Sequence, residues 1–481
     1  MPAVTAKKQK NTPILIGLIS KERNQKFKTN LMKPKLLLPF ISLIGAIFIS
    51  CNNSPKNDAF LRQPKKVNTV IDQYVSNGSF PFLYMRMENK AGEVIYEHQA
   101  VNESLLPNTK IDGNTWFRIW SMSKIITISL MLDLVEDGII DLNDPITDYI
   151  PEFKDLKVAV DANEKSLASI ANDYFKEAGF GAGSYENNPL LSEQNCPWQL
   201  IDNPNPITVE HLINHQAGFY YATTPFSCLN QLVDSLDMNG LNTNEEVIKN
   251  MAQLPLIMVP GSNDFYGTNT TVLGFVAERA SGKTLAELLE ERIKKPMNIK
   301  GLRYKKSSDI NLLPTFSGED GNLRFANPGE LDIMGAHTID YRPESKTYFG
   351  GEGMIGTANG YADFLRMLLN HGTLNGHRFL EEATVQNMYA PHTQLDNEWG
   401  HNGYNLWVSS AKDLEMGYGD EGLWRGGGYE QTHFWVDPKR DFVAVIMSQM
   451  FAVPEAGQNR DNRIRGAVYE QLLAPSNQTK N

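Results

Sequence analysis

Cysteine is scarce in this chain, three among 481 residues, so no disulfide-stapled scaffold can form and at most one intramolecular disulfide is available. No apolar run reaches the roughly 18 to 20 residues that a membrane-spanning helix needs. The longest, Leu36–Ser50, has fifteen. An excess of basic charge is missing too: 45 Lys and Arg stand against 56 Asp and Glu, a formal net charge of −11, which argues against nucleic acid as a partner. There is no Gly-x-Ser-x-Gly, hence no α/β-hydrolase nucleophile elbow, and there are no internal repeats or low-complexity tracts. What is present is the composition of an ordinary globular protein, 41% hydrophobic and 10% aromatic. At roughly 100–200 residues per domain, the length allows two or three structural units.

Lys33 and Lys35 precede the Leu36–Ser50 run, and Cys51 follows it at once. Charge, apolar core and small residue in that order make a secretory leader. Ser50-Cys51 ahead of Asn52-Asn53-Ser54 resembles a bacterial lipoprotein processing site. That resemblance implies a signal peptide over 32–50 starting at Met32, a lipidated Cys51 as first mature residue, and an upstream extension over 1–31. It places the protein at the cell envelope, bound to the membrane by the lipid on Cys51. The alternative is a plain secretory signal or an uncleaved anchor. Residues 1–50 hold nine of the bases and one of the acids, which leaves 36 bases against 55 acids and a formal charge of −19. Cys196 and Cys228 then either pair in an oxidising compartment or remain as buried thiols.

After a polar linker (51–64), the spacing predicts a helix over Val67–Val75 and a hairpin of Phe82–Glu88 and Glu93–Gln99 around Asn89–Gly92. A second hairpin, Thr432–Val436 with Phe442–Met447, precedes a helical stretch at Arg463–Leu473. The middle of the chain has mostly helical patterning. Thr284-x-x-Glu287 is a capping box, and Gly282 marks the end of the helix before it. The expected class is α+β: an antiparallel sheet built from both chain ends and flanked by helices, plus a mainly helical domain. The boundaries read as 65–121 with 346–475 for the first and 122–345 for the second, the latter carrying a surface insertion over 157–205.

Ser121 stands at the head of an apolar helix, Ile125–Val135, with Lys124 three residues further on. Residues three apart share a helix face, so Lys124 can reach the Ser121 hydroxyl, a poor nucleophile until a base takes its proton. A lysine serves as that base only when its ammonium form is penalised, as burial and nearby positive potential both do. The helix N-terminus adds backbone N–H groups that can hold an oxyanion. Alone, Ser-x-x-Lys is a weak motif that reads better as a capping serine and a solvated lysine.

The context decides. Phe117–Lys124, Leu134–Pro145, Ile207–Gly218, Pro260–Tyr266, Gly351–Thr357 and Trp435–Pro438 resemble, in order, the blocks of the serine β-lactamase-related and penicillin-binding family, which includes class C β-lactamases, D-Ala-D-Ala carboxypeptidases and esterases. The resemblance implies a β-lactamase/transpeptidase-like fold and an acyl-enzyme serine hydrolase with Ser121 as nucleophile, Lys124 as base and Tyr266 as proton shuttle. Either Thr268 or Asn269 takes the role of the asparagine that follows the family's tyrosine. The third motif, usually Lys-Thr-Gly or His-x-Gly, reads Trp424-Arg425-Gly426-Gly427-Gly428 here. A tryptophan there resembles the esterase branch, unless a shift in register lets Arg425 supply the missing charge. The Gly427 N–H is the candidate second oxyanion donor, beside that of Ser121.

His211 and His215 sit at i, i+4, but position 212 is Leu, so the His-Glu-x-x-His metal motif is absent. Gly351-Glu-Gly-Met-Ile-Gly356 matches Gly-x-Gly-x-x-Gly without a following βαβ unit, and reads as a tight loop under the site. No metal or cofactor is implied. The expected partner is a small-molecule or peptide substrate, the expected state a monomer, and the preferred reading a carboxylesterase-like hydrolase. A β-lactamase or D-Ala-D-Ala carboxypeptidase is the alternative. A catalytically inactive sensor on the same fold is the rival of another class.

Overall fold

The computed structural model describes residues 61 and 63–473, apart from 179–197, 319–320, 328, 332, 335–338, 340, 394 and 396. The stretch 32–50 expected as a leader, Cys51 and Cys196 lie outside the described residues. Cys228 is disulfide-bonded. Among the described residues no helix is long and apolar enough to cross a membrane.

Helix α1 (Pro64–Ser76) leads into strands β1 (Phe82–Asn89) and β2 (Val94–Val101). Five more strands come from the far end of the chain: β3 (Gly400–Asn402), β4 (Trp407–Ser409), β5 (Trp424–Gly427), β6 (His433–Asp437) and β7 (Phe442–Met447). They form one seven-stranded sheet in the order β3-β4-β5-β6-β7-β1-β2. The N-terminal hairpin is thus zipped onto the C-terminal one, Tyr84 opposite Met447 and Asn89 opposite Phe442. β7 is buried at every position, so its side chains are covered on both faces of the sheet. Helix α4 (Ala358–Leu369) packs on β7, and α5 (Arg460–Leu473) packs with α1.

Between the two sets of strands lie α2 (Ser123–Glu136) and α3 (Asn269–Ser281), which pack on each other. α2 is apolar on every side, and all its residues from Ser123 to Leu134 are buried. That all-round burial is what takes Lys124 out of solvent. α3 stops at Gly282, and Thr284 and Glu287 form the capping box of the next turn, as expected. A small sheet pairs Trp116–Arg118 with Ile355–Thr357, which in turn pairs with Leu302–Arg303. It brings the strand entering Ser121 beside the one leaving Gly351–Gly356. Residues 157–205, expected as surface, contribute a strand pair (Lys157–Val160 with Gln199–Asp202) and the helix Leu167–Ala178. Val158, Ala159, Val160, Leu167, Ala168 and Ala171 of that stretch are buried.

Candidate active site

Ser121 sits in a single 3-10 turn, Trp120–Met122, immediately before α2. Trp120 enters it at φ 45°, a left-handed backbone that a bulky side chain adopts only at a cost of about 1–3 kcal/mol. The surroundings hold it there. The indole N–H, fully buried, donates to Glu430 Oε2 at 2.7 Å, and the ring meets Tyr429 edge-on at 5.5 Å. On the other side of Ser121, Tyr361 Oη donates to the Met122 carbonyl at 2.9 Å, and the Met354 N–H donates to Ser123 Oγ at 3.2 Å.

Lys124 is 0% exposed. Its Nζ lies 3.2 Å from Ser121 Oγ, 2.9 Å from Tyr221 Oη and 2.9 Å from the Gly351 carbonyl, three acceptors for three ammonium protons. The loop Gly351–Gly356 does lie under the site. Tyr221 Oη in turn donates to Glu352 Oε2 at 2.9 Å, and the Thr271 hydroxyl donates to both Glu352 oxygens, at 2.8 and 2.9 Å. Burial pushes the Glu352 carboxyl above the usual range, against the pull of Lys124 and the two hydroxyls. Burial, reinforced by Glu352, pushes the Tyr221 phenol well up. Neither Tyr221 nor Glu352 was expected from the sequence. Nothing in Phe219-Tyr-Tyr221 singles out one tyrosine, and Glu352 stood inside what reads as a glycine loop.

Tyr266 Oη lies 2.7 Å from Ser121 Oγ, its ring 4.9 Å from Lys124 Nζ. The Tyr266 ring rests on His215 at 4.7 Å. His215 follows the short helix Val209–Ile213 at φ 57°, so it does not share a helix face with His211. Its Nδ1 faces two donors, the Gly267 N–H at 3.4 Å and Asn269 Nδ2 at 3.2 Å, while Nε2 faces Asn405 Oδ1 at 3.1 Å. The proton therefore sits on Nε2. Burial, and secondly the Lys124 charge, lower its pKa to about 3, so the ring stays neutral in the working range. Asn269 also donates to the Phe219 and Phe265 carbonyls, and Thr268 to the Tyr220 carbonyl. The hydrogen bonds of Thr268 and Asn269 thus go to the scaffold around Tyr266, and the hydroxyl against Lys124 belongs to Tyr221.

On β5 the strand alternation separates Trp424 from Arg425. Trp424 is buried and stacks on Tyr389 at 4.6 Å. Arg425 faces Asp413, Nε to Oδ2 3.9 Å, which is itself held by Arg465 at 3.0 Å. Burial and then the Arg465 charge lower the Arg425 pKa to about 10. Its guanidinium faces Asp413 on the opposite side of the strand from Trp424, so it does not replace the charge absent there. Gly426 and Gly427 pair with Phe434 and His433. The Gly428 N–H is spent on the Thr432 carbonyl, so ladder alternation turns the Gly427 N–H to the other side, beyond the last β4 pair, Trp407–Arg425. A Cβ on Gly428 would sit 2.5 Å from the Ile119 carbonyl, so this end of β5 lies against the segment that carries Ser121. Among the described residues no group of His, Cys, Asp and Glu is arranged to hold a metal ion.

The chain matches known proteins along most of its length. The family model described as Beta-lactamase matches residues 87–468. Protein Rv1367c of Mycobacterium tuberculosis is 26% identical over 356 residues, 70% of this chain and 78% of that protein. Lovastatin esterase of Penicillium rubens is 25% identical over 415 residues, 79% of this chain and 91% of that one. Among solved structures, EstCE1, described as a hydrolase with promiscuous acyltransferase activity, has a TM-score of 0.62 at 21% identity, covering 84% of this chain and 98% of that chain.

Proposed function

The chain belongs to the beta-lactamase family, and from that premise we propose that it is a carboxylesterase-like serine hydrolase working through an acyl-enzyme on Ser121. One observation carries the reading: the Ser121 hydroxyl lies between Lys124 Nζ at 3.2 Å and Tyr266 Oη at 2.7 Å. The Ser121 proton passes to Lys124, directly or with Tyr266 relaying it by giving up its own phenol proton, as Oγ attacks the ester carbonyl. The N–H groups of Ser121 and Gly427 hold the oxyanion, and Tyr266 gives its phenol proton to the departing alkoxide and regains one from the Lys124 ammonium. Water then attacks the acyl-serine with the same residues as base.

Esters are favoured over β-lactams and D-peptides because those carry a carboxylate that needs a cation beside the nucleophile. Trp424 is neutral, and Arg425 is turned to Asp413. The name of the lovastatin esterase relative supports the same choice. Side-by-side assays test it: kcat/KM for p-nitrophenyl butyrate is expected to exceed that for nitrocefin and for a D-Ala-D-Ala peptide by about 10²-fold or more. Turnover of nitrocefin alone overturns the ester reading.

The apolar run 36–50 and Cys51 support an envelope location with a lipid on Cys51. In bacteria making the full chain, labelled palmitate is expected on the protein and absent from Cys51→Ala. A wild-type chain without label sinks the anchor.

A further inference from the structure

The site holds one acid that this mechanism does not use. Glu352 is fully buried and follows directly on Gly351, whose carbonyl holds Lys124. The ionisable groups around it are Lys124, Tyr221, Tyr304 and Tyr341, with Tyr266 facing Tyr221 and Lys124. Tyr221 Oη stands 2.9 Å from both Lys124 Nζ and Glu352 Oε2, which makes an unbroken line from Ser121 through the lysine and the phenol to a carboxylate. Thr271 fixes the far end by donating to both carboxylate oxygens.

We propose that Glu352 is the proton store of this site and a positioning residue for Lys124: the proton that Lys124 sheds to become a base passes through Tyr221 to Glu352. The inference rests on the acyl-enzyme reading of Ser121. In the step, the Lys124 Nζ–H bond breaks as its proton bonds to Tyr221 Oη, and the Tyr221 proton passes to Glu352 Oε2. An ammonium and a carboxylate become an amine and a carboxylic acid, Tyr221 remains a neutral phenol, and the net charge is unchanged. Rotation about Cε–Nζ then presents the amine lone pair to the Ser121 hydroxyl. No proton crosses to solvent, and the low-dielectric surroundings that penalise a carboxylate there favour its accepting one.

The sign of the pH dependence follows. With Glu352 in place, the site works once Glu352 is a carboxylate able to receive a proton, so the acid limb of kcat/KM follows that carboxyl. Without it, Lys124 must lose its proton to solvent, and the limb moves to higher pH. The test is kcat/KM against pH with p-nitrophenyl butyrate on the full chain, for wild type, Glu352→Gln and Tyr221→Phe. Both variants are expected to move the acid limb up, by about one unit or more, with activity recovering at alkaline pH. A limb that stays or falls in either variant, while circular dichroism shows the fold intact, overturns the relay. So does a uniform loss at every pH, the mark of a merely structural Glu352. If Glu352→Gln does not fold, Tyr221→Phe decides alone. Fluorophosphonate labelling separates the two readings: wild type without an adduct on Ser121 sinks the acyl-enzyme itself, whereas a labelled wild type with an unmoved limb sinks only the relay.

Discussion

Replacing Ser121 by alanine is expected to lower ester kcat by about 10⁴-fold or more and to abolish fluorophosphonate labelling. In the turn at Trp120–Met122, Ser121 is the residue whose side chain meets both Lys124 and Tyr266. Lys124→Ala is expected to fall to a similar level, and the double variant to be hardly worse than either single one, since groups that act as a unit are not additive. Stability separates them. Ser121 lies at the mouth of the site, so its loss leaves the unfolding midpoint in place. Removing the buried Lys124 leaves Glu352 without its nearest cation and lowers that midpoint in urea. Full activity in Ser121→Ala, or full additivity in the double variant, refutes the assignment.

Gly267→Ala is expected to cost about 10²-fold in kcat/KM, the penalty for displacing a reacting group by about 1 Å. A Cβ at that position would lie 2.0 Å from the Phe219 carbonyl oxygen and 2.7 Å from the Tyr220 Cα. Both are backbone atoms, so no rotamer change relieves the clash. The neighbours most tightly tied to Gly267 are Tyr266, whose hydroxyl holds Ser121, and His215, whose Nδ1 accepts the Gly267 N–H. The loop must move, and Tyr266 moves with it. The readout is the split between acylation and binding: kcat falls in single-turnover measurements, while the labelled fraction of Ser121 still reaches completion at long times. Wild-type acylation in a folded Gly267→Ala protein refutes the role given to this contact.

Much of the architecture was legible because its signals are local. The two hairpins, the helix after Ser121, the capping box at Thr284 and the stop at Gly282 depend on residues within a few positions of one another. The same holds for Ser121 with Lys124, one helical turn apart. Tyr266 was found by the order of motifs, and the structure sets it against Ser121. The choice between Thr268 and Asn269 could not be made this way, since both turn to carbonyls of the 219–220 segment, which approaches only in the folded chain. Arg425 looked free in the sequence because Asp413, the carboxylate it faces, is 12 residues away along the chain.

By itself, then, the sequence picked out Ser121 and Lys124, the family and the α+β class, all carried by short spacings and by the order of blocks. Only the tertiary structure decided what surrounds them. Packing α2 against α3 and the Gly351–Gly356 loop encloses Lys124, and the same packing brings Tyr221, Thr271 and Glu352 to it from 97, 147 and 228 residues along the chain. Burial in low dielectric is what makes each of those partners matter, and burial is a property of the fold as a whole, written in no local pattern.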